Sequence, residues 1–269
     1  MKILQPVNNK IMRISVATPL VFCIAILFLF SCKKTDTIQS PGGTTATIKT
    51  YIEQVVSPGY NTADTFNVSY DASNRVISLI SIHPSGGKFI YQYNSNSTYN
   101  LDIINGTHLS IRLTAFINNN SLLDSTFQYN DTNDSTTQKF IYNAAKQVVQ
   151  FKTYNYKLTT GAVLFRKNDY TYDNNGNEIT DTETSATGNI NTVITYTYTN
   201  LTGNLFVLGT IYQPAMYKNL QSTISYYTPY NNTTQTFTCT YTFDSNNRVT
   251  SQQQTDGKGT TVTKKFIYN

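Results

Sequence analysis

The chain has 269 residues, 39% of them hydrophobic and only 13% charged, with 20 Lys and Arg against 15 Asp and Glu. The basic excess sits at the start, where Lys2, Lys10 and Arg13 meet no acid before residue 32, so the remainder lacks the clustered basic footprint of a nucleic-acid binder. Asn and Thr make up about a quarter of the chain and accompany 21 Tyr, 14 Phe and no Trp; Thr, Tyr and Phe favour strands and Asn favours turns, which excludes a helical or a disordered chain.

Residues 1–31 carry the three parts of an export signal: a positive start, an apolar run from Ile14 to Phe30, and the small Ser31. The run Leu29-Phe30-Ser31-Cys32 resembles the lipobox of bacterial lipoproteins, and Ser31-Cys32-Lys33-Lys34-Thr35-Asp36 resembles lipoproteins of the Bacteroidetes. The resemblance implies that Cys32 is lipidated and becomes the new N-terminus. It also implies an outer-membrane destination, surface-exposed in some members. The alternative is an uncleaved anchor, for which an apolar run of about 17 residues is at the short edge. Two acyl chains on Cys32 hold a protein firmly to a membrane where one does not. Residues 32–46 have no periodicity and contain Pro41-Gly42-Gly43, as a flexible tether does. With Cys23 in the discarded run and Cys32 lipidated, only Cys239 remains, so no disulfide forms within the mature chain. Cys239 reads as a small buried hydrophobe on the aromatic face of a strand.

Residues 47–269 form a single all-β repeat domain, because alternation with period two runs through them. Tyr170 and Tyr172, Tyr196 and Tyr198, Phe89, Tyr91 and Tyr93, Phe127 and Tyr129, and Tyr154 and Tyr156 each share a face. A phrase recurs: aromatic, any residue, aromatic, Asp or Asn, a short turn, a β-branched restart. It appears at Val68–Val76, Phe140–Val148, Tyr170–Ile179 and Tyr241–Val249, and begins again at Phe266-Ile267-Tyr268-Asn269. Asp71, Asp173 and Asp244 can start a turn by accepting backbone N–H groups, while Asn74, Gly176 and Asn247 tolerate the positive φ that reverses a strand. The expected fold is an antiparallel meander of repeated hairpins, about fourteen to seventeen strands, forming a curved open sheet or half-barrel; a two-sheet sandwich is the alternative.

The Tyr-Asp-x-x-(Gly/Asn) phrase resembles the YD repeats of RHS-type proteins and is similar to a class of Bacteroidetes lipoproteins built from such hairpins. RHS repeats form a large shell, which a chain of this length is too short to build. The resemblance therefore implies architecture and assigns no activity.

The chemistry-bearing residues are sparse. His83 and His108 are the two histidines, and no Gly-x-Ser-x-Gly elbow accompanies them. Zinc and P-loop spacings are absent. Asn130–Asp134 and Asp173–Glu178 crowd oxygen ligands as a calcium loop does, but turn chemistry already accounts for them. Asp181 and Glu183 share a strand face, as paired carboxylates of a glycosidase do, and as acids on a wet sheet surface also do. The sequence thus assigns no catalytic residue, metal or cofactor. The function expected is a lipid-anchored, non-enzymatic binding or structural module of the envelope. Its partners are the membrane through Cys32 and a glycan, a protein or an apolar ligand, with no nucleic acid. A carrier of lipid or another apolar ligand in a half-barrel is the alternative, and a secreted hydrolase the least supported reading.

Overall fold

A computed structural model describes residues 47–83, 86–129, 135–157, 161–202 and 218–269. The export signal, Cys32 and the tether lie outside the described residues. Within them sixteen strands follow one another: β1 (Ile48–Ser57), β2 (Tyr60–Tyr70), β3 (Val76–Ser81), β4 (Gly87–Tyr93), β5 (Thr98–Asn105), β6 (His108–Ile117), β7 (Leu123–Tyr129) and β8 (Ser135–Tyr142). The second half continues with β9 (Val148–Lys157), β10 (Gly161–Tyr172), β11 (Glu178–Ser185), β12 (Ile190–Thr202), β13 (Asn219–Thr228), β14 (Thr233–Phe243), β15 (Val249–Thr255) and β16 (Thr261–Tyr268). Each strand pairs antiparallel with its neighbour in sequence, and β16 returns to β1 through Tyr51↔Phe266 and Glu53↔Lys264. The meander of hairpins is thus confirmed. The open sheet, the half-barrel and the sandwich are corrected to a closed barrel. Closure removes both sheet edges, which an open array of this length would leave as templates for aggregation.

The four complete copies of the recurring phrase make one kind of turn, the β6–β7 turn at Asn118 makes the same one, and all five lie at the same end of the barrel. At Asp71, Asn118, Asn143, Asp173 and Asp244 the backbone N–H donates to the carbonyl four residues on, at 2.8–3.0 Å. The side chain of the same residue accepts from the backbone ahead: Asp71 Oδ1 takes the N–H of Ser73 and Arg75, and Asp244 Oδ1 takes those of Asn246 and Arg248. Positive φ falls at Asn74, Ser121, Lys146, Gly176 and Asn247. The ladder then restarts with a bulge, pairing Tyr70↔Val76, Ile117↔Leu123, Tyr142↔Val148, Tyr172↔Glu178 and Phe243↔Val249.

Tyrosines tie these hairpins into a ring. On every even-numbered strand except β6 a tyrosine hydroxyl donates to a backbone carbonyl at or near the start of the strand before it. The pairs are Tyr70 to Ile48, Tyr93 to Val76, Tyr142 to Leu123, Tyr172 to Val148, Tyr198 to Glu178, Tyr241 to Gln221 and Tyr268 to Val249, at 2.5–3.0 Å. Two turn arginines lie over the same rings, Arg75 on Tyr93 at 4.1 Å and Arg248 on Tyr268 at 4.4 Å. This end also holds both ends of the barrel, joined where Asn269 N–H donates to the Thr47 carbonyl at 3.0 Å.

Register decides which side chains face the lumen, since residues directly opposite on antiparallel strands share a face. Tyr51, Leu79, Tyr91, Leu101, Leu113 and Phe266 are almost wholly buried and point inward. Tracing the pairs around the barrel places Phe151, Asn168, Asp181, Glu183, Ile224, Cys239 and Lys264 on the same side. The aromatic face is not uniformly inward. Thr126 and Thr153 take the inward positions, so Phe127, Tyr129, Tyr154 and Tyr156 point out.

Candidate functional site: the lumen

The two ends of the barrel differ. At the end carrying the tyrosine ring, Ile48, Val76, Leu123, Val148 and Val249 are all below 5% exposed; we call this the sealed end. At the other, inward-facing Tyr60, Thr62, Asn105 and Gln235 are exposed; this is the mouth. Between them the side chains of Glu53, Arg166 and Glu183 keep 26%, 28% and 23% of their surface exposed although they face inward. Solvent therefore reaches into the lumen from the mouth side.

The lumen wall is two-sided. From β1 to β6 it is built of Tyr51, Phe66, Leu79, Phe89, Tyr91, Leu101, Ile103 and Leu113. From β7 to β11 it turns polar, with Thr126, Gln138, Thr153, Arg166, Asn168, Asp181 and Glu183. Polar neighbours are paired: Thr126 donates to Gln138 Oε1 at 2.8 Å, Arg166 Nη1 to Glu183 Oε2 at 2.8 Å, and Asn168 Nδ2 to Asp181 Oδ1 at 2.8 Å. Three buried atoms on this wall have no partner among the described residues: Thr153 Oγ1, Arg166 Nε and Asn168 Oδ1. A buried polar atom without a partner costs about 1–3 kcal/mol. They are adjacent, since Thr153 pairs directly with Arg166 and Asn168 follows two residues on.

Burial shapes the charges. It raises Asp181 to about 6 against the pull of the Asn168 amide, with Glu183 adding to the rise and Arg166 opposing it. Burial, with Asp181 close by, pushes Glu178 well above the carboxylate range. On the facing arc burial lowers the Lys264 ammonium, while Glu53, 3.9 Å away, partly restores it. Burial also lifts Cys239 to about 11, an inert thiol as its strand position implied.

The residues singled out from sequence fall as follows. Asp181 and Glu183 share a face, as read, but that face is the lumen and not a wet outer surface. Asp173 spends its carboxylate on its own turn, accepting from the N–H groups of Asn175 and Asn177. His83 and His108 are both exposed near the mouth. Residues 130–134, the other oxygen-rich segment, lie outside the described residues. Among the described residues no group of three or more His, Cys, Asp or Glu converges as a metal site. Sequence reasoning missed Thr153, Arg166 and Asn168, whose residue types recur all over the chain.

The outer wall mixes polar and apolar side chains. Outward positions on β11–β16 are hydroxyl-rich: Thr180, Thr195, Thr197, Thr236, Thr238, Thr240, Thr242 and Thr263. On β8–β10, Lys139, Lys152 and Lys167 stand outward in direct register. A transmembrane barrel presents an apolar band there, and each Lys at mid-membrane costs about 2–4 kcal/mol. Outward apolar side chains do occur, among them Phe116, Phe127, Tyr129 and Tyr156. Val56 on β1, Ile80 on β3, Ile141 on β8, Tyr227 on β13 and Ile267 on β16 also point out and are exposed, so apolar side chains recur around the wall between the polar ones.

No protein-family model and no curated protein matches the chain. Among solved structures it is similar to a porin-like protein from Bacteroides uniformis, with TM-score 0.60 and 16% identity over 82% of this chain and 98% of that one. A porin-like protein from Bacteroides vulgatus is similar at TM-score 0.55 and 11% identity, over the same shares. At these identities the likeness establishes the fold, a closed antiparallel barrel, and nothing of the activity.

Proposed function

We propose that the protein is a lipid-anchored barrel of the bacterial cell envelope that stands in water and acts as a non-enzymatic binding vessel. The observation that carries this reading is the mixed outer wall, where Lys139, Lys152 and Lys167 in direct register and the threonines of β11–β16 interrupt the apolar side chains. A barrel that spans a membrane needs an unbroken apolar band there. The packed sealed end argues further against a through-channel. Thr47, where the tether joins, lies at that sealed end, so anchoring through Cys32 leaves the mouth unobstructed. The outer membrane is the compartment that the lipobox resemblance favours.

Bilayer reconstitution tests the vessel against the channel. The purified protein is expected to add no conductance to planar bilayers and to float with liposomes only when acylated. A chain of residues 33–269, without the export signal and Cys32, should stay in the soluble fraction with the near-ultraviolet circular dichroism of the acylated protein. Stepwise conductance, or insertion of residues 33–269 into liposomes, would refute the reading.

A further inference from the structure

On the outer wall over β7–β10 a panel of rings stands beside a row of cations. Antiparallel register places Phe127, Thr137 and Tyr154 side by side in one outward row, and Tyr129, Ser135 and Tyr156 in the next. Tyr129, Tyr156 and Phe127 are 53%, 44% and 40% exposed. Between them β8 offers only the short Ser135 and Thr137. The rings of β7 and β9 therefore flank a low, hydroxyl-bearing strip, with about 10 Å between their two strands. One step toward the sealed end, Lys139, Lys152 and Lys167 stand in direct register across β8–β10. Like charges directly opposite one another weaken a sheet. Among the described residues this row has one ion pair, Lys167 with Asp169 at 2.8 Å.

Charge, size and hydrogen bonding together select the partner. The cationic row calls for an anion. Three rows by four strands cover about 200 Å², roughly a quarter of the 800 Å² that each side of a stable protein interface buries, so the panel suits a chain laid across it and not a folded protein. An extended peptide docks by backbone bonds at an open strand edge, and the closed barrel has none; on this face its amides would be desolvated without partners. A polysaccharide has no such need, because its C–H faces cover aromatic rings while its hydroxyls meet water and the tyrosine, serine and threonine hydroxyls. We propose that Phe127, Tyr129, Tyr154 and Tyr156 bind an acidic polysaccharide whose carboxylates sit over Lys139 and Lys152. The site asks nothing of the lumen. It rests only on the outer wall standing in water, which the bilayer experiments above test separately.

The test titrates residues 33–269 with polygalacturonate oligomers by calorimetry. Neutral galactan, polyglutamate, and vesicles of phosphatidylglycerol and phosphatidylethanolamine are run alongside. Polygalacturonate is expected to bind, less tightly as salt rises, and galactan to bind at least about tenfold more weakly. Lys139→Gln combined with Lys152→Gln should lower the affinity about tenfold, and Tyr129→Ser and Tyr156→Ser should each do the same. Lys265→Gln, which alters an exposed outward lysine on β16 across the barrel, should leave it unchanged. The double lysine variant should melt at or above the parent temperature, because it relieves the like charges, so its loss of binding cannot be laid to unfolding. Absence of polygalacturonate binding, equal binding of polyglutamate, or affinity indifferent to both ring variants overturns the proposal. Flotation of the unacylated chain with the vesicles would assign the panel to a lipid surface and overturn it as well.

Discussion

Removing one hydroxyl from the tyrosine ring tests the repeat's physical purpose. Tyr142 donates to the Leu123 carbonyl at 2.7 Å, and Leu123 is 1% exposed, so no water can replace the lost donor. Tyr142→Phe keeps the ring and its packing. A net hydrogen bond contributes about 1 kcal/mol, and orphaning a buried acceptor raises the loss to about 1–3 kcal/mol. For a domain of this size each kcal/mol moves the melting temperature by about 2–4 °C, so Tyr142→Phe should melt about 2–12 °C lower. Tyr129→Phe is the control, because Tyr129 points outward and is 53% exposed; it should shift stability by no more than about 0.5 kcal/mol. Tyr268→Phe, far around the ring, should add to Tyr142→Phe independently. The assay is urea unfolding followed by tyrosine fluorescence and circular dichroism. Equal losses in Tyr142→Phe and Tyr129→Phe would show that the ring's bonds contribute nothing and that the phrase is only a turn signal.

Stability should respond to pH in two opposing ways. Asp181 is raised from 3.8 to about 6 in the folded chain, chiefly by burial, so the fold holds a proton that the unfolded chain releases; stability falls as pH rises from about 4 to about 6 and is level in this respect beyond. The span corresponds to on the order of 2–3 kcal/mol, and Asp181→Asn should recover most of it at pH 7 and flatten the profile. Asp71, Asp173 and Asp244 go the other way. For Asp244 the backbone N–H of Arg248 is the leading cause of a lowered pKa, and for Asp71 and Asp173 hydrogen bonds outweigh the opposing effect of desolvation. Their contribution is present above the ordinary carboxylate range and is lost on acidification, so acid titration of Asp173→Asn should show a smaller loss below pH 4 than the parent. Gly176 has φ +84°, and Gly176→Val should destabilise by about 1–3 kcal/mol in the same unfolding assay. Cys239 should resist a thiol reagent at pH 8 in the native protein and react fully in denaturant, since its thiol lies near 11 in the fold.

The turns were legible because their chemistry is local. Asp71 and Asp244 accept from N–H groups two and four residues ahead, and that spacing is written in the sequence. The tyrosine ring was not, although every tyrosine in it was visible. Its acceptors are main-chain carbonyls 17 to 24 residues earlier, and a carbonyl has no residue type. Closure was equally hidden, because β1 meets β16 across the whole length of the domain and nothing in either strand names the other. Alternation told which rings share a strand face but not which face turns inward. On β7 and β9 the inward places went to Thr126 and Thr153, and Phe127, Tyr129, Tyr154 and Tyr156 were left outside. Asp181 and Glu183 looked like surface acids for the same reason. Their strand partners, Tyr170 and Asn168, are what carry them into the lumen.

The outer wall bears on how the register of a closed antiparallel barrel is chosen. Period-two alternation is compatible with either dressing, apolar outside or apolar inside, and a shift of one residue converts one into the other. Here the register is locked against that shift at the sealed end. Bulges set Tyr70, Tyr142 and Tyr172 opposite Val76, Val148 and Glu178, the residues that restart the next strands, and each tyrosine hydroxyl then fixes its ring inward by holding a carbonyl. Slipping one strand by one residue would break a tyrosine bond, expose its ring and bury a threonine or lysine. The sealed end therefore does more than pack one end of the barrel. It selects aromatic-inside over aromatic-outside for the strands that run from it, and it leaves the mouth end, which has no such ring, free to expose polar side chains around the lumen.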